Sequence, residues 1–319
     1  MTVKFGLQEH IGFKFVAIDG LTRVGKSLFS GILPSLENAE HLQFVTPLEH
    51  IIPALAIEAI SPSFARSHVR TIYNELSHNI QLGRNVNFRY NDESGVLNYA
   101  NPEIYFKRLG DPEGAIVIDK LRATKNFLPV QTHDVMVNLD KFDLLEFDYN
   151  ILELYRHPID NFYSWYTRGW GTRFGEDPRS FTLTIEHDGK LLPWYCRGFE
   201  EEWLSLNPYE RCVRTGISLL KRSIEQQKRA LHPERILTLQ FEKFVEDTEI
   251  ELERVCNFLG TKQTDQTPIQ LVKARCPRHL DINNRANKMA ELKKNIRSEI
   301  FADLLSVSEE YENGLFGLD

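Results

Sequence analysis

Short apolar runs alternate along the chain with longer segments in which apolar side chains recur at helical spacing. Residues 13–18 form the first run, and because it ends in Asp19 and Gly20 it is typical of a buried parallel strand followed by a turn. The next segment, 26–35, has its apolar side chains on one helical face, which predicts a helix. The remaining elements are predicted as strands at 42–46, 115–118, 127–132, 151–155 and 236–240, and as a helix from about Glu49. Strands that alternate with helices predict an α/β fold with a central parallel sheet flanked by helices.

Two stretches depart from this alternation of predicted strands and helices. Residues 83–114 are polar and rich in Asn, Asp and Gly, and residues 168–199 contain Asp188-Gly189 between two β-prone runs, which is a hairpin signal. Both are predicted to be surface excursions that cover a ligand site, and the alternative is that they are surface loops without a role in binding. Because no repeat or linker divides the chain, residues 1–319 are predicted to form a single domain.

A glycine-containing loop follows the first predicted strand. The segment from Gly20 to Ser27 matches the pattern G-x-x-x-x-G-K-[ST] and precedes the first predicted helix. Glycines let the backbone turn so that successive N–H groups point at phosphate oxygens, while the helix start and Lys26 add positive charge. The pattern therefore predicts a P-loop-type three-layer fold that binds a phosphate-bearing ligand. The residues predicted to hold the phosphates are Gly20, Thr22, Arg23, Val24, Gly25, Lys26 and Ser27.

A second group of anion-binding side chains follows the strand predicted at 151–155. Arg156 comes directly after this strand, Pro158 ends strand pairing, and a helix begins with Asp160 in its first turn. Open α/β sheets bind ligands at the carboxyl ends of their strands, where Arg156 is placed. Ser164 lies about two turns into the helix, so Arg156 and Ser164 are predicted to hold a second phosphate. The alternative is that Arg156 only caps or pairs with Asp160.

The composition of the chain excludes several kinds of binding partner, but it says less about the fold. The net charge of −7 argues against a surface built for nucleic acid or acidic membranes. No apolar run reaches the length of about 18 residues that a membrane span needs, and residues 1–14 lack the apolar core of a signal peptide, so a cytoplasmic protein is expected. The four cysteines have no metal-like spacing and are expected to be reduced thiols, without disulfides or zinc. Residues 288–311 predict an amphipathic helix that packs on its own domain.

Four segments in the same order resemble the sulfotransferases that depend on 3′-phosphoadenosine-5′-phosphosulfate (PAPS). The segment Thr22–Ser27 is similar to their 5′-phosphosulfate loop, and Arg-x-Pro-x-Asp…Ser from Arg156 is similar to their 3′-phosphate motif. Gln131-Thr-His resembles their Lys-Thr-His segment, and residues 235–260 resemble their later strand, acidic turn and Phe-Leu-Gly helix end. The resemblance touches most of residues 13–260.

The resemblance implies a transferase that moves a sulfuryl group from PAPS to an acceptor hydroxyl or amine by in-line transfer, without a metal. Arg23 and Lys26 would neutralise charge on the leaving phosphate, Ser27 would hold the 5′-phosphate, and a general base would take the acceptor proton. His133 matches the base of the cytosolic branch, whereas Glu49 matches the glutamate of carbohydrate-type relatives. His133 is preferred because an imidazole titrates near neutral pH.

The chain also departs from the family pattern. Lys26 stands where the family usually has Thr, and Gln131 replaces the lysine that commonly precedes Thr-His. The Arg-Lys-Gly element that often completes the 3′-phosphate site near the C-terminus has no clear match. Candidates for its arginine, all in a basic stretch, are Arg275, Arg278 and Arg285.

The loop also allows a second function, that of a P-loop kinase or NTPase using ATP and Mg²⁺. Lys26 and Ser27 would then bind the nucleotide, and Asp119, at the end of the strand predicted at 115–118, would hold the metal through water. The absence of an arginine-rich lid segment favours the sulfotransferase over the kinase. A non-catalytic nucleotide sensor would keep the loop but need no base. The residues leave open the acceptor, a small molecule or a carbohydrate, and the oligomeric state.

Overall fold

The structure is a computed structural model that describes residues 4–173, 177–281 and 283–318. Its strands are β1 (Lys14–Asp19), β2 (Gln43–Phe44), β3 (Phe127–Gln131), β4 (Tyr149–Tyr155), β5 (Thr184–His187), β6 (Lys190–Pro193) and β7 (Ile236–Gln240). Five of them form one parallel sheet in the order β2-β3-β1-β4-β7. The other two, β5 and β6, pair in an antiparallel hairpin.

Helices connect the strands and cover the sheet. In chain order they are α1 (Phe29–Ile32), α2 (Thr46–Ala56), α3 (Pro62–Gln81), α4 (Glu103–Arg108), α5 (Ala115–Ala123), α6 (Leu139–Phe142), α7 (Pro158–Thr167), α8 (Trp170–Arg173), α9 (Glu200–Ser205), α10 (Pro208–Lys228), α11 (Phe241–Glu246), α12 (Thr248–Leu259), α13 (Thr267–Lys273), α14 (Asn283–Asn295) and α15 (Ser298–Glu312). None of these helices combines the length and the apolar character that crossing a bilayer requires.

Side chains of the central strand β1 alternate between two hydrophobic clusters, one on each face of the sheet. Val16 and Ile18 pack in one cluster with residues of α7, α10, α12 and α15. Phe15 and Ala17 pack in the other with residues of α2, α3 and α5. A strand buried on both faces is apolar throughout, because successive side chains point to opposite sides. The arrangement confirms the predicted α/β fold, a central parallel sheet flanked by helices.

Most strand predictions agree with the structure. The strands predicted at 127–132, 151–155 and 236–240 are confirmed as β3, β4 and β7, and the strand predicted at 42–46 is the short β2. The predicted hairpin is confirmed as β5 and β6, with Asp188-Gly189 at its turn. All four cysteines are buried and free.

The prediction of a strand at 115–118 is wrong, because this segment is the first half of helix α5. Val117 and Leu121, one helical turn apart, are buried, whereas Ile116 is 45% exposed. Four consecutive apolar residues carry too little periodicity to distinguish a strand from a helix. Asp119 therefore lies on a helix surface, where its side chain is 75% exposed and 4.0 Å from Arg122, instead of at a strand end where it could hold Mg²⁺.

Two predicted helices are interrupted. The segment predicted as a helix over 26–35 is a 3-10 turn, the single turn of α1, and a second 3-10 turn that contains Pro34. The segment predicted as one helix at 288–311 is split between α14 and α15. The backbone of Arg297 between them is extended, with φ −60° and ψ 150°, which ends helical hydrogen bonding.

A buried ion pair anchors the excursion 83–114. Arg108 donates from Nη1 and Nη2 to the two carboxylate oxygens of Glu40 at 2.8 and 2.7 Å, and Asn126 Nδ2 donates to Glu40 at 2.7 Å. Arg108 is 8% exposed and Glu40 is 1% exposed. Glu40 precedes β2 and Asn126 precedes β3, so the anchor lies at the amino ends of the strands.

Replacing Arg108 by Met is expected to lower the free energy of unfolding by about 3 kcal/mol, because Glu40 would keep a buried charge without its partner. Urea unfolding followed by circular dichroism measures the loss. Arg84→Met is the matched control, since Arg84 and its partner Glu113 are 45% and 67% exposed and such a pair contributes less than about 1 kcal/mol. Equal losses in the two variants would contradict the anchoring role.

Candidate active site

Three loops that follow neighbouring strands meet at one edge of the sheet. Residues 20–27 follow β1, Thr132 and His133 follow β3, and Arg156 follows β4. Because β3, β1 and β4 are adjacent and parallel, their carboxyl ends lie side by side. The sheet therefore brings the predicted phosphate ligands and the predicted base to one place.

Gly20 and Gly25 give the loop a path that other residues would obstruct. Their φ angles are 122° and 112°, in the region that favours glycine. A Cβ atom at Gly20 would lie 2.4 Å from the carbonyl oxygen of Leu154, and one at Gly25 would lie 2.4 Å from Cδ2 of Phe241. The loop thus passes against β4 on one side and against the residue that follows β7 on the other.

The loop borders a cavity of about 420 Å³, which we call the loop cavity. Its lining includes most of the predicted phosphate ligands, namely Thr22, Arg23, Gly25, Lys26, Ser27 and Arg156. Val24 is buried in the hydrophobic core, so that only its backbone is placed to serve a ligand. The volume is within the range of pockets that hold small molecules and cofactors.

Arg156 and Ser164, which are predicted to hold the second phosphate, both form hydrogen bonds with the glycine loop. Arg23 Nε donates to Ser164 Oγ at 3.2 Å, and Arg156 Nη1 donates to the carbonyl oxygen of Arg23 at 3.1 Å. The guanidinium carbon of Arg156 lies 4.8 Å from the centre of the Phe241 ring. Arg156 Nε is buried without a hydrogen-bond partner among the described residues. A phosphate oxygen could accept a hydrogen bond from this N–H group, so Arg156 and Ser164 suit an anionic ligand.

Several positively charged side chains lie around Arg156 and Ser164. The pKa of Arg23 is lowered, first by burial and then by the charges of Arg168 and Arg156. Arg278 also lines the loop cavity, and its guanidinium carbon lies 5.7 Å from the centre of the Phe241 ring. Repulsion among neighbouring guanidinium groups is relieved when an anion binds between them.

Of the three arginines considered for the 3′-phosphate, only Arg278 lines the cavity. Arg275 is exposed outside it. Arg285 Nε and Lys288 Nζ instead donate to Asp160 at 2.9 and 2.7 Å. Burial would raise the pKa of Asp160, but these hydrogen bonds hold it below its usual range. The alternative that Arg156 only pairs with Asp160 is therefore wrong, because Asp160 binds α14.

Lys26 lies beneath the loop and is only 4% exposed. Its Nζ donates to the carbonyl oxygens of Gly20 and Leu21, the latter at 3.0 Å. Burial lowers its pKa, against the opposing charges of Asp19 and Glu49. The ammonium group is thus occupied by the loop's own carbonyls and by buried carboxylates, which departs from the expected direct contact with phosphate.

Two carboxyl groups lie side by side at the ends of β1 and β4. Asp19 accepts hydrogen bonds from Thr132 Oγ1 at 2.7 Å and from a backbone N–H at 2.6 Å. Glu153, its neighbour in register, accepts from Ser223 Oγ at 2.9 Å. Burial and the charge of Asp19 raise the pKa of Glu153 well above its usual range. These effects favour the uncharged form of Glu153, and Lys26 is the buried basic group beside Asp19.

Lys26→Met is expected to reduce the free energy of unfolding by about 3 kcal/mol, because Asp19 would lose its buried counter-ion. Asp19→Asn in the same chain is expected to recover part of the loss. Urea denaturation of the single and double variants gives the comparison. Lys190→Met, at an exposed hairpin position, is the control and should change stability by less than about 0.5 kcal/mol. A loss no larger than the control's would refute the counter-ion role.

His133 and Glu49 form a hydrogen-bonded pair between the end of β3 and α2. His133 Nδ1 lies 2.6 Å from Glu49 Oε2, and the backbone N–H of His133 donates to Glu49 Oε1 at 2.8 Å. Burial would raise the pKa of Glu49, but the charge and hydrogen bonds of His133, together with Lys26, lower it overall. A charged Glu49 keeps the proton on Nδ1, so Nε2 is the atom able to accept another. The two candidate bases are thus joined in one pair.

A second cavity of about 470 Å³ adjoins the loop cavity, and we call it the outer cavity. Thr22, Gln131 and His133 line both. The predicted excursion 168–199 contributes much of the outer wall. The described residues of the excursion 83–114 are not part of the outer cavity's lining, although Glu93 of this excursion acts electrostatically on Arg23 of the glycine loop.

Sequence reasoning missed two contributors to the site. Phe241, which packs against Gly25 and Arg156, follows β7 directly, and its place at a strand end was a usable signal. Trp165 Nε1 donates to the carbonyl oxygen of Thr22 at 2.6 Å and fixes the loop to α7. This contact joins residues far apart in the chain, which no local pattern indicates.

One group of described residues has metal-like spacing. It consists of His187, Asp188 and Glu201, whose ligand atoms lie within 4.8 Å of one another. The group sits on the hairpin and α9, and none of its members lines the loop cavity or the outer cavity. It therefore has no part in the site built on the sheet edge.

A model of a known protein family matches most of this chain. The sulfotransferase domain family model matches residues 35–304, a match that begins after the glycine loop. A comparison with curated protein sequences finds no match.

Several solved structures match over most of this chain at low sequence identity. The sulfotransferase domain from the curacin biosynthetic pathway is 10% identical, covers 96% of this chain and 100% of its own, and has a TM-score of 0.49. The sulfotransferase domain of the Synechococcus PCC 7002 olefin synthase is 13% identical, with coverages of 97% and 98% and a TM-score of 0.45. The sulfotransferase from Alicyclobacillus acidocaldarius is 14% identical, with 92% and 95% covered and a TM-score of 0.39. Similarities this low carry no argument by themselves, so the assignment rests on the family model. Because that model spans well over half of the residues, the chain belongs to the sulfotransferase family.

Proposed function

We propose that this sulfotransferase uses PAPS as its donor and transfers the sulfuryl group to an acceptor hydroxyl or amine, with His133 as the general base. The observation that carries the proposal is the position of His133, which lines both cavities while Glu49 holds its Nδ1. A donor in the loop cavity and an acceptor in the outer cavity would meet at this imidazole. In-line transfer requires such an arrangement, with the attacking and leaving oxygens on opposite sides of the transferred group.

The loop cavity has groups for two separate phosphates. The backbone N–H groups of the loop, with Ser27 and Arg23, suit the 5′-phosphate. Arg156 and Ser164, assisted by Arg278, suit the 3′-phosphate, which PAPS carries and ATP lacks. The unsatisfied Nε of Arg156 supports a ligand at this place.

During transfer, the acceptor oxygen or nitrogen forms a bond to sulfur while the bond from sulfur to the 5′-phosphate oxygen breaks. The acceptor proton passes to Nε2 of His133, and the charge of Glu49 stabilises the resulting imidazolium. Arg23 and the loop N–H groups balance the negative charge that develops on the leaving phosphate. Lys26 acts from beneath by holding the loop carbonyls turned away from the donor. The products are the sulfated acceptor and 3′-phosphoadenosine-5′-phosphate (PAP).

His133→Ala is expected to lower kcat about 10²- to 10⁴-fold, the usual contribution of a general base, without a comparable change in PAP affinity. Glu49→Gln should lower kcat toward the same level. The double variant should be no slower than His133→Ala alone, because residues that act as one unit have non-additive effects. Turnover of radiolabelled PAPS and calorimetric titration with PAP provide the two measurements.

His232→Ala is the matched control for the base. His232 is a surface histidine with 46% of its side chain exposed, remote from both cavities, and its loss should leave kcat unchanged. An unchanged kcat in His133→Ala would remove His133 from the mechanism. Multiplicative losses in the double variant would show that Glu49 acts independently of the histidine.

Arg156→Ala is expected to weaken PAP binding by about 10- to 100-fold, because a hydrogen bond to a charged group contributes about 1.5–3 kcal/mol. Binding of ADP should change little, since ADP has no 3′-phosphate. Arg229→Ala is the control, because this arginine is 77% exposed and does not line the loop cavity. Equal weakening of PAP and ADP would overturn the role of Arg156.

Titration of the unaltered protein with PAP, ATP and ADP, each with and without Mg²⁺, tests the donor itself. Tighter, metal-independent binding of PAP is the expected result. Preference for ATP with Mg²⁺ would overturn the proposed donor and support the kinase function, for which the exposed Asp119 offers no metal ligand at the site.

A further inference from the structure

Phe241 and Glu242, the first two residues of α11, contact Arg156 and the peptide bond that follows it. The Phe241 ring lines the loop cavity, and its centre lies 4.8 Å from the guanidinium carbon of Arg156. Glu242 Oε1 accepts a hydrogen bond from the backbone N–H of His157 at 3.1 Å. Because that N–H lies in the planar peptide unit between Arg156 and His157, the carboxylate fixes the backbone from which the arginine side chain extends.

The carboxylate of Glu242 is in turn held by the C-terminal helix α15. The hydroxyl group of Tyr311 donates a hydrogen bond to Glu242 Oε2, and Tyr311 is only 3% exposed. The Tyr311 ring packs edge-on against the His157 ring, with 5.5 Å between the ring centres. Each oxygen of Glu242 therefore has its own donor, one after β4 and one on α15, so the position of the carboxylate is defined from two directions.

A second set of ion pairs joins α14 to the helix that follows Arg156. Arg285 and Lys288, both on α14, donate to Asp160 in the first turn of α7. Nη2 of Arg285 also lies 4.0 Å from Glu242 Oε1. The two C-terminal helices are thus connected to α7 and to α11, the elements that flank the predicted 3′-phosphate ligands.

We propose that Glu242 is a positioning residue for donor binding, which acts by holding the peptide bond after Arg156. The guanidinium group then stays against the Phe241 ring, inside the loop cavity where the 3′-phosphate would bind. This inference rests on the proposed function, because it takes PAPS as the donor. Glu242 itself does not line the loop cavity, so its effect on the donor has to pass through Arg156.

Two physical effects of Glu242 on an anionic donor have opposite signs. A long arginine side chain loses conformational freedom when it binds an anion, and a fixed backbone makes part of that loss before the donor arrives. The negative charge of Glu242, by contrast, opposes anion binding in its neighbourhood. A net gain in affinity from Glu242 must therefore come from its hydrogen bond to the His157 N–H, which a neutral acceptor could also provide.

The test compares Glu242→Ala with Glu242→Gln by calorimetric titration of the full chain with PAP and with ADP. Glu242→Ala should weaken PAP binding about tenfold and change ADP binding less than about twofold, because only PAP has the 3′-phosphate. Glu242→Gln keeps an oxygen that accepts from the His157 N–H, so it should retain the PAP affinity of the unaltered chain. Glu249→Ala, at an exposed glutamate of α12 outside the loop cavity, is the matched control.

A double variant distinguishes positioning from a general loss of structure. In a chain that already carries Arg156→Ala, the further change Glu242→Ala should not weaken PAP binding again, because no guanidinium group remains to be positioned. Additive losses in the double variant would overturn the inference.

Tyr311→Phe tests the same carboxylate through a smaller change. It removes the hydroxyl that donates to Glu242 and keeps the ring against His157, and it should weaken PAP binding about threefold without a matching change for ADP. Tyr90→Phe, at a side chain that is 76% exposed, is its control. Urea unfolding shows whether each variant is folded. If Glu242→Ala does not fold, unchanged PAP affinity in Tyr311→Phe overturns the inference.

The remaining outcomes separate the positioning role from the donor. If the unaltered chain prefers PAP to ADP and Glu242→Ala keeps that preference, the positioning role is overturned and the proposed donor stands. Equal losses of PAP affinity in the Gln and Ala variants would show that charge matters instead of the hydrogen bond, and would also overturn it. If the unaltered chain does not prefer PAP, the proposed function fails and the inference fails with it.

Discussion

The parallel pairing of β1 with β3 on one side and β4 on the other is the constraint on which the site depends. It places the glycine loop, His133 and Arg156 at adjacent strand ends, although they are distant in sequence. The hydrophobic clusters on both faces hold these strands in register. Side chains at the carboxyl edge can therefore be polar and closely spaced, because the apolar parts of the strands supply the stability.

Burial of charge beneath the loop is the second organising feature. Asp19, Glu153 and Lys26 are all nearly inaccessible to solvent. The raised pKa of Glu153, which favours its uncharged form, and the basic group of Lys26 both reduce the charge that must be buried with Asp19. Lys26, the residue that makes the loop sequence similar to that of a kinase, is therefore held in the protein interior. A loop of the same sequence can thus serve different chemistry, depending on which carboxylates lie below it.

Local patterns were sufficient to predict much of the fold and the position of Arg156 at a strand end beside the glycine loop. The glycine spacing, Arg156 after a strand and the hairpin at Asp188-Gly189 each involve neighbouring residues with definite backbone requirements. Contacts between distant segments were not predictable. The Glu49–His133 pair joins helix α2 to the residues after β3, so the sequence left the two as rival bases. The burial of Lys26 likewise depends on carboxylates from distant parts of the chain. The apolar run at 115–118 failed because its period emerges only when Leu121 is included.

The apolar residues that line the outer cavity affect how well water is held next to His133. Under the proposed mechanism, a base that lies between two compartments would deprotonate a water molecule as readily as an acceptor. Trp165 and Trp194 offer water few hydrogen-bond partners, so ordered solvent is poorly held on that side of His133. Under that mechanism, these rings would limit hydrolytic loss of the donor between turnovers.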